Sequence, residues 1–402
     1  MSKLDDMIKQ LCPDGVEFVK LGEVGQFYGG LTGKSKSDFT NGNAKFITYM
    51  NVYTNSSINT NINDFVRIEK GEKQNKVIYG DILFTGSSET PNECGMTSVL
   101  TENTNDDLYL NSFCFGYRFN NIQSVNPNFI KHLFRCHDLR KALARTASGV
   151  TRFNVSKKKV AKIEIPFPPI EIQTQIANIL DHFTELEAEL EAELDCRKRQ
   201  YEFYRDYLLS FDKNTTERNN IVWKKLSEVC KINRGKRLVK KELMTEGKIP
   251  VYQNSLTPLG YYKEANYPAD TTFIISAGAA GNIGFSKMDF WAADDCICLV
   301  CDKNLNSKYL YYTMTNRQYY FLSRVRKASV PRLSRETINK FEIAIPPIEE
   351  QNRIVTILDH FESLTTSLQH GLPAEIAARR QQYEYYRDKL LDFKKKNSIA
   401  IC

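Results

Sequence analysis

The 402-residue chain is written twice, and this repetition restricts its possible folds more than any other feature. PPIEIQTQIANILDHF at 168–183 returns as PPIEEQNRIVTILDHF at 346–361. RKRQYEFYRDYLLSF at 197–211 returns as RRQQYEYYRDKLLDF at 379–393. The offsets are 178 and 182, so the second copy carries four extra residues between its two motifs. Fainter echoes link the intervening stretches: VKLGEV (19–24) with KKLSEV (224–229), and VTRFN (150–154) with VPRLS (330–334). The expected order is globular 1–163, helical 164–215, globular 216–342 and helical 343–402. A chain of this length exceeds one compact core.

Each helical segment opens on a proline pair, which belongs before a helix rather than inside one. In the first copy an apolar stripe runs through Ile172, Ile176, Ile179, Phe183, Leu186, Leu190, Leu194, Arg197, Tyr201, Tyr204, Leu208 and Phe211. Its steps of four and three are those of a coiled-coil seam, with one additional step of four at the tandem EAEL of ELEAELEAEL (185–194). The second copy runs through Ile354, Ile357, Phe361, Leu364, Leu368, Leu372, Ile376, Arg379, Tyr383, Tyr386, Leu390 and Phe393. Its three consecutive steps of four account for the longer offset, and Gly371 and Pro373 should divide it into two helices. These seams are core or partner-docking residues. A helix of this length needs a partner for its stripe, and the cheapest is the other copy. Antiparallel pairing would give a rod with an approximate twofold axis and a globular segment towards each end.

The globular segments are rich in Asn, Thr, Ser, Gly and aromatics. KVIYGDILFTG, LNSFCFGYRF, DTTFIISAG and DDCICLV suggest strands, whereas SVNPNFIKHLFRCHDLRKALART and NSKYLYYTMTNRQYYFLSRV suggest helices. The expected class is α+β: two globular α/β domains separated by two long helical, antiparallel coiled-coil regions.

With 42% hydrophobic and 26% charged residues the composition is that of a globular protein. No apolar run approaches the roughly 20 residues of a membrane span, and MSKLDDMIKQ is no signal peptide, so a cytoplasmic protein is expected. Ten cysteines fit that compartment as reduced thiols. Cys296, Cys298 and Cys301 cluster in DDCICLVC, whose alternation looks like a buried strand, and neither they nor His132 and His137 have the spacing of a metal site.

Catalytic motifs are missing. GGLTGKS (29–35) has Tyr28 where a phosphate-binding loop needs glycine, and no helix is expected after it; it reads as a polar, basic loop. There is no G-x-S-x-G, H-E-x-x-H or G-x-G-x-x-G. FPPI and IPPI lack the preceding polar residue of amino-methyltransferase motifs. The chain is expected to direct chemistry rather than perform it.

What remains is charge. The net of +7 combines −6 over residues 171–211 with +13 elsewhere. Both globular segments end in basic stretches: Arg140, Lys141, Arg145, Arg152, Lys157, Lys158 and Lys159 in the first, Arg324, Arg326, Lys327, Arg332 and Arg335 in the second. KINRGKRLVKK adds Arg234, Lys236 and Arg237, and the early loop adds Lys34 and Lys36. Such residues neutralise phosphates. Base readout needs polar side chains on loops, for which Ser87 and Ser88 in TGSSETPNE (85–93) and Asn282 in SAGAAGN (276–282) are candidates.

The two helical motifs, together with MSKLDDMIKQLCPDGVEFVKLGEV and GAAGNIGFSKMDFWAADDC (278–296), closely resemble the DNA-specificity (S) subunits of type I restriction-modification systems. The resemblance covers essentially the whole chain. It implies two target-recognition domains, each reading half of a split site on double-stranded DNA. It also implies helices that space the domains and dock two methyltransferase subunits, joined by restriction subunits. S-adenosylmethionine, ATP and Mg would be bound by those partners and none by this chain. Base contacts do not carry over, because recognition domains vary within the family. Two other readings compete: a coiled-coil scaffold with protein-binding ends, and a single-chain enzyme, which the missing motifs disfavour.

Overall fold

The computed structural model describes residues 2–212, 221–366 and 371–396. The chain forms two compact units, residues 1–190 with 376–402 and residues 191–375. Each unit therefore joins one globular segment to parts of both helical segments. One division falls between Leu190 and Glu191, inside the EAEL repeat.

In the first unit the globular part is closed start to end, Phe18–Lys20 pairing antiparallel with Glu164–Pro166. A four-stranded sheet follows in the spatial order Gly25–Gly29, Cys114–Phe119, Ile82–Thr85, Thr97–Val99. A second sheet places Ala44–Ile47 parallel to Leu108–Leu110, with Phe65–Val66 and Lys76–Val77 at its edges. A third, small sheet is the hairpin Ala147–Ser148 and Phe153–Val155 set against Ser87–Ser88.

The second unit repeats this plan. Val222–Lys225 pairs with Glu342–Ile345. Cys230–Arg234, Cys296–Cys301, Thr271–Ile275 and Ile283–Ser286 form the four-stranded sheet, and Ile249–Tyr252 runs parallel to Trp291–Ala292. The third sheet is reduced to bridges of Arg332 with Arg326 and Ala277. The faint KLGEV/KLSEV echo thus marks the same strand–turn–strand entry in both units. Cys296 and Cys298 are buried in a central strand of the second unit's sheet.

Both long helices expected at the ends of the globular segments are broken. Pro127–Leu133 and His137–Ala144 are separated at Cys136, whose extended backbone (φ −66°, ψ 155°) restarts the chain. Ser307–Asn316 and Gln318–Leu322 are separated at Arg317. Each first helix starts from an asparagine cap, Asn126 or Asn306, whose side chain accepts two backbone N–H groups. A four-residue 3₁₀ turn, Lys36–Phe39, also lies where no helix was expected, but it is too short to present a helix dipole.

Ile170–Leu208 is one helix of 39 residues. The C-terminal region forms Ile348–Thr366 and Leu372–Leu390, divided where Gly371 and Pro373 predict. Within the first unit Phe183 stacks on Tyr386 at 5.4 Å and Glu187 pairs with Arg380 at 2.6 Å, so the helices run antiparallel. Within the second unit Tyr204 stacks on Phe361 at 5.4 Å, while Leu208 and Phe211 join the core of Ile354 and Leu358. The seam supplies part of the core: Ile172 and Ile176 are buried with Leu133, Leu143 and Ile165, whereas Leu180 is fully buried and the seam residue beside it, Ile179, only partly. Among the described residues no helix is long and apolar enough to cross a membrane.

Candidate nucleic-acid interface

The equivalent hairpins of the two units each gather exposed basic residues. In the first unit the tip spans 149–152, with Val150 90% exposed. Gly149 lies at φ +152°, and a Cβ there would meet the Arg152 carbonyl at 2.0 Å, so the tight turn requires glycine. Arg152 is exposed; its Nε donates to Ser87 Oγ at 3.2 Å and its guanidinium lies 5.4 Å from the Phe113 ring centre. Lys157 sits 5.2 Å from the Phe115 ring centre. Arg145 and Lys158 are exposed near the two ends of the hairpin.

In the second unit Arg326 and Arg332 exchange backbone hydrogen bonds (2.8 and 3.1 Å), placing Lys327 and Val330 on the intervening loop. The two hairpins close in the same way, Val155 N–H donating to the Gly86 carbonyl and Leu333 N–H to that of Ser276, so in space Arg332 takes the place of Asn154, two residues beyond the match suggested by VTRFN and VPRLS. Arg324 lies 3.9 Å from the Tyr320 ring centre. Arg234 donates to the Asp294 carbonyl, and exposed Lys236 and Arg237 follow it.

Several expected contacts are engaged elsewhere. The Lys34 side chain is 8% exposed and bonded to Glu72 at 2.6 Å. The Lys34 and Gln74 hydrogen bonds hold the Glu72 carboxyl down to about 2. A buried, paired ammonium is not available to a phosphate; exposed Lys36 is the open cation of that loop. Ser87 is buried and supports Arg152, Ser88 donates to Glu93, and Asn282 accepts from Gln318. Arg140 donates to the carbonyls of Asn92, Cys94 and Gly95, and Arg335 to that of Ile232. They are structural ties. Sequence spacing cannot distinguish them from surface cations, because their carbonyl acceptors lie far away along the chain.

The helical candidates also separate by environment. Leu186, Leu190, Leu194, Tyr201, Leu208, Leu364, Tyr383, Tyr386 and Leu390 are half-buried. Tyr204 is more exposed but stacked, and Leu368 lies outside the described residues. Within the EAEL repeat Glu187 pairs with Arg380 and Glu193 with Arg197.

Where the first recognition segment meets the helices, a buried polar cluster forms. His132 Nε2 donates to Asp181 at 2.7 Å; a carboxylate can only accept, so Nδ1 accepts the Tyr383 hydroxyl at 2.9 Å. Lys131 is the cation paired with Asp181, at 2.7 Å. The second unit builds the counterpart from Tyr312, which donates to Asp359 (2.5 Å) and Glu362 (3.1 Å), with Lys308 on Asp359. Burial, reinforced by Asp359, pushes the Tyr312 hydroxyl far up. Sequence reasoning missed this junction and the exposed aromatics Phe113, Phe203 and Tyr385. The recurring Asp of ILDHF and the equivalent placing of Phe203 and Tyr385 in the repeat were the available signals.

A duplicated pair of α/β domains, each sealed by antiparallel helices and carrying a basic hairpin, defines a modular recognition protein. The model of the type I restriction modification DNA specificity domain matches residues 13–195 and 219–378, and the chain belongs to that family. A Mycoplasma pneumoniae protein carrying the name of a type I specificity subunit is 36% identical over 235 residues, covering 56% of this chain and 92% of that one. The EcoR124I/EcoR124II specificity subunit of Escherichia coli is 34% identical over 280 residues, 61% of this chain and 67% of its own. The crystal structure of the S subunit of the type I system of M. genitalium superposes with a TM-score of 0.57 at 18% identity, covering 94% and 96% of the two chains. That likeness concerns the fold.

Proposed function

We propose that this chain is the sequence-reading subunit of a type I restriction-modification complex acting on double-stranded DNA in the cytoplasm. Residues 1–163 read one half of a bipartite site and residues 216–342 the other. The helical regions 164–215 and 343–402 set the spacer and dock two methyltransferase subunits. Adenine methylation with S-adenosylmethionine, and restriction with ATP and Mg, belong to partner subunits, the restriction subunits joining through the methyltransferase core.

The observation that carries this reading is the recurrence of one basic hairpin in both units, with Arg145 and Arg152 exposed around the first and Arg326, Lys327 and Arg332 exposed around the second. Two equivalent cationic elements suit two half-sites, since cations supply affinity while groove contacts supply sequence. Phe203 and Tyr385, exposed at the same repeat position, support a partner that docks twice. Selection from random duplex pools, with and without a co-expressed methyltransferase subunit, tests it. A split consensus with a fixed gap is expected, and no enrichment under either condition would overturn the proposal.

A further inference from the structure

Within the first recognition domain, we propose that Arg152 reads a guanine in the major groove, presented by Phe113 and Ser87. This rests on the DNA-recognition reading above and goes further, from a basic surface to one base-specific contact.

The guanidinium is held on two sides. Its Nε donates to Ser87 Oγ, and its central carbon lies 5.4 Å from the centre of the Phe113 ring, which is 57% exposed. Ser87 is itself fixed: it is buried, pairs with Asn154 in the small sheet, and accepts the Tyr49 hydroxyl at its carbonyl, 2.8 Å away. Both Nη groups of Arg152 are left without a hydrogen-bond acceptor among the described residues. The domain's other arginines differ. Arg118 spends its fork on Asp81, Arg135 and Arg140 on backbone carbonyls, and Arg67 pairs with Glu69. Arg145 is exposed on its helix end without a comparable platform.

Guanine O6 and N7 accept two parallel N–H donors from a planar fork, a geometry that lysine cannot supply. A phosphate contact requires charge but little orientation. Tying Nε and placing the group beside a ring restrict its rotamer freedom before binding, while both Nη groups stay free to donate. A cation serving only phosphates would gain little from such support.

The test is methylome sequencing of hosts carrying the complete system with the wild-type chain, R152A, R152K or F113L. With R152A and R152K, one base pair in one half-site should become degenerate, discrimination there falling on the order of 10- to 100-fold. The other half-site should be unaltered. F113L should relax the same base pair to a smaller degree. Uniform loss restored by R152K would assign Arg152 to a phosphate and overturn the proposal. An unchanged motif in R152A would overturn it equally. Absence of any bipartite motif with the wild-type chain would instead refute the underlying recognition reading. Thermal unfolding of each purified variant separates loss of fold from loss of reading.

Discussion

Gln173 and Gln351, 178 positions apart, make the same three hydrogen bonds. Gln173 Oε1 accepts the Asn126 backbone N–H at 2.9 Å, and its Nε2 donates to the carbonyls of Pro168 (2.8 Å) and Ser124 (3.0 Å). Gln351 Oε1 accepts the Asn306 N–H at 2.8 Å, and its Nε2 donates to the carbonyls of Pro346 and Asn304, both at 2.8 Å. Each side chain is almost wholly buried and ties three strands of chain together: the helix entry, the preceding proline pair, and the cap of a recognition-domain helix. Gln173→Ala or Gln351→Ala would orphan three backbone groups, so each should destabilise its own unit by about 3 kcal/mol. Calorimetric unfolding should show the transition of the mutated unit moving and the other staying in place; equal shifts in both would refute the unit-specific role.

His132 should give the first unit a pH dependence. Burial, with Lys131 and Arg387 adding to it and Asp181 opposing, pulls the imidazole below its ordinary 6.5. The folded chain then binds fewer protons than the unfolded chain below that value. Stability from this group is complete above about pH 6.5 and is lost as pH falls through the folded value. Burial opposes ionisation of Asp181, but its bonds to His132 and Lys131 hold its carboxyl below the usual range, so its own loss comes at lower pH. Denaturant unfolding between pH 7.5 and 5.5 should show declining stability that flattens in His132→Gln. An unchanged decline in that variant would place the titrating group elsewhere.

Lys34 and Lys158 should behave oppositely. Lys34→Gln breaks a part-buried pair with Glu72 and should lower stability while leaving DNA affinity and its salt dependence unaltered. Lys158→Gln, on the exposed hairpin side, should keep stability and reduce the salt slope of DNA binding by about 0.9 if it meets one phosphate. Binding isotherms across a salt series distinguish the two residues.

The EAEL repeat should control spacing. One unit adds about 6 Å of helix, close to two base-pair rises of about 3.4 Å. Insertion or deletion of one EAEL should therefore change the gap between half-sites while both half-sites persist. A deletion variant that methylated the unaltered motif would reduce the repeat to a packing feature.

The duplication, the seam with its additional step, the break at Gly371–Pro373 and the strands around Ile82–Thr85 and Cys296–Cys301 were legible because each is a local pattern. Period, proline and glycine placement, and apolar alternation act over a few residues and need no knowledge of distant partners. The break at Cys136 escaped because an uninterrupted helix-forming sequence there yields to tertiary packing that the local pattern does not contain.

The amino-acid sequence by itself determined that two similar domains would be built, with helices to seal them and cations to spare. Only the tertiary structure decided which cations are available. Lys34, Arg140 and Arg335 look like Arg152 in composition, yet the Glu72 carboxylate and backbone carbonyls take up the first three. Arg152 meets instead a hydroxyl and an exposed ring. The physical reason for Lys34 and Arg140 is that a largely buried charge must find a partner, and those partners lie tens of residues away along the chain.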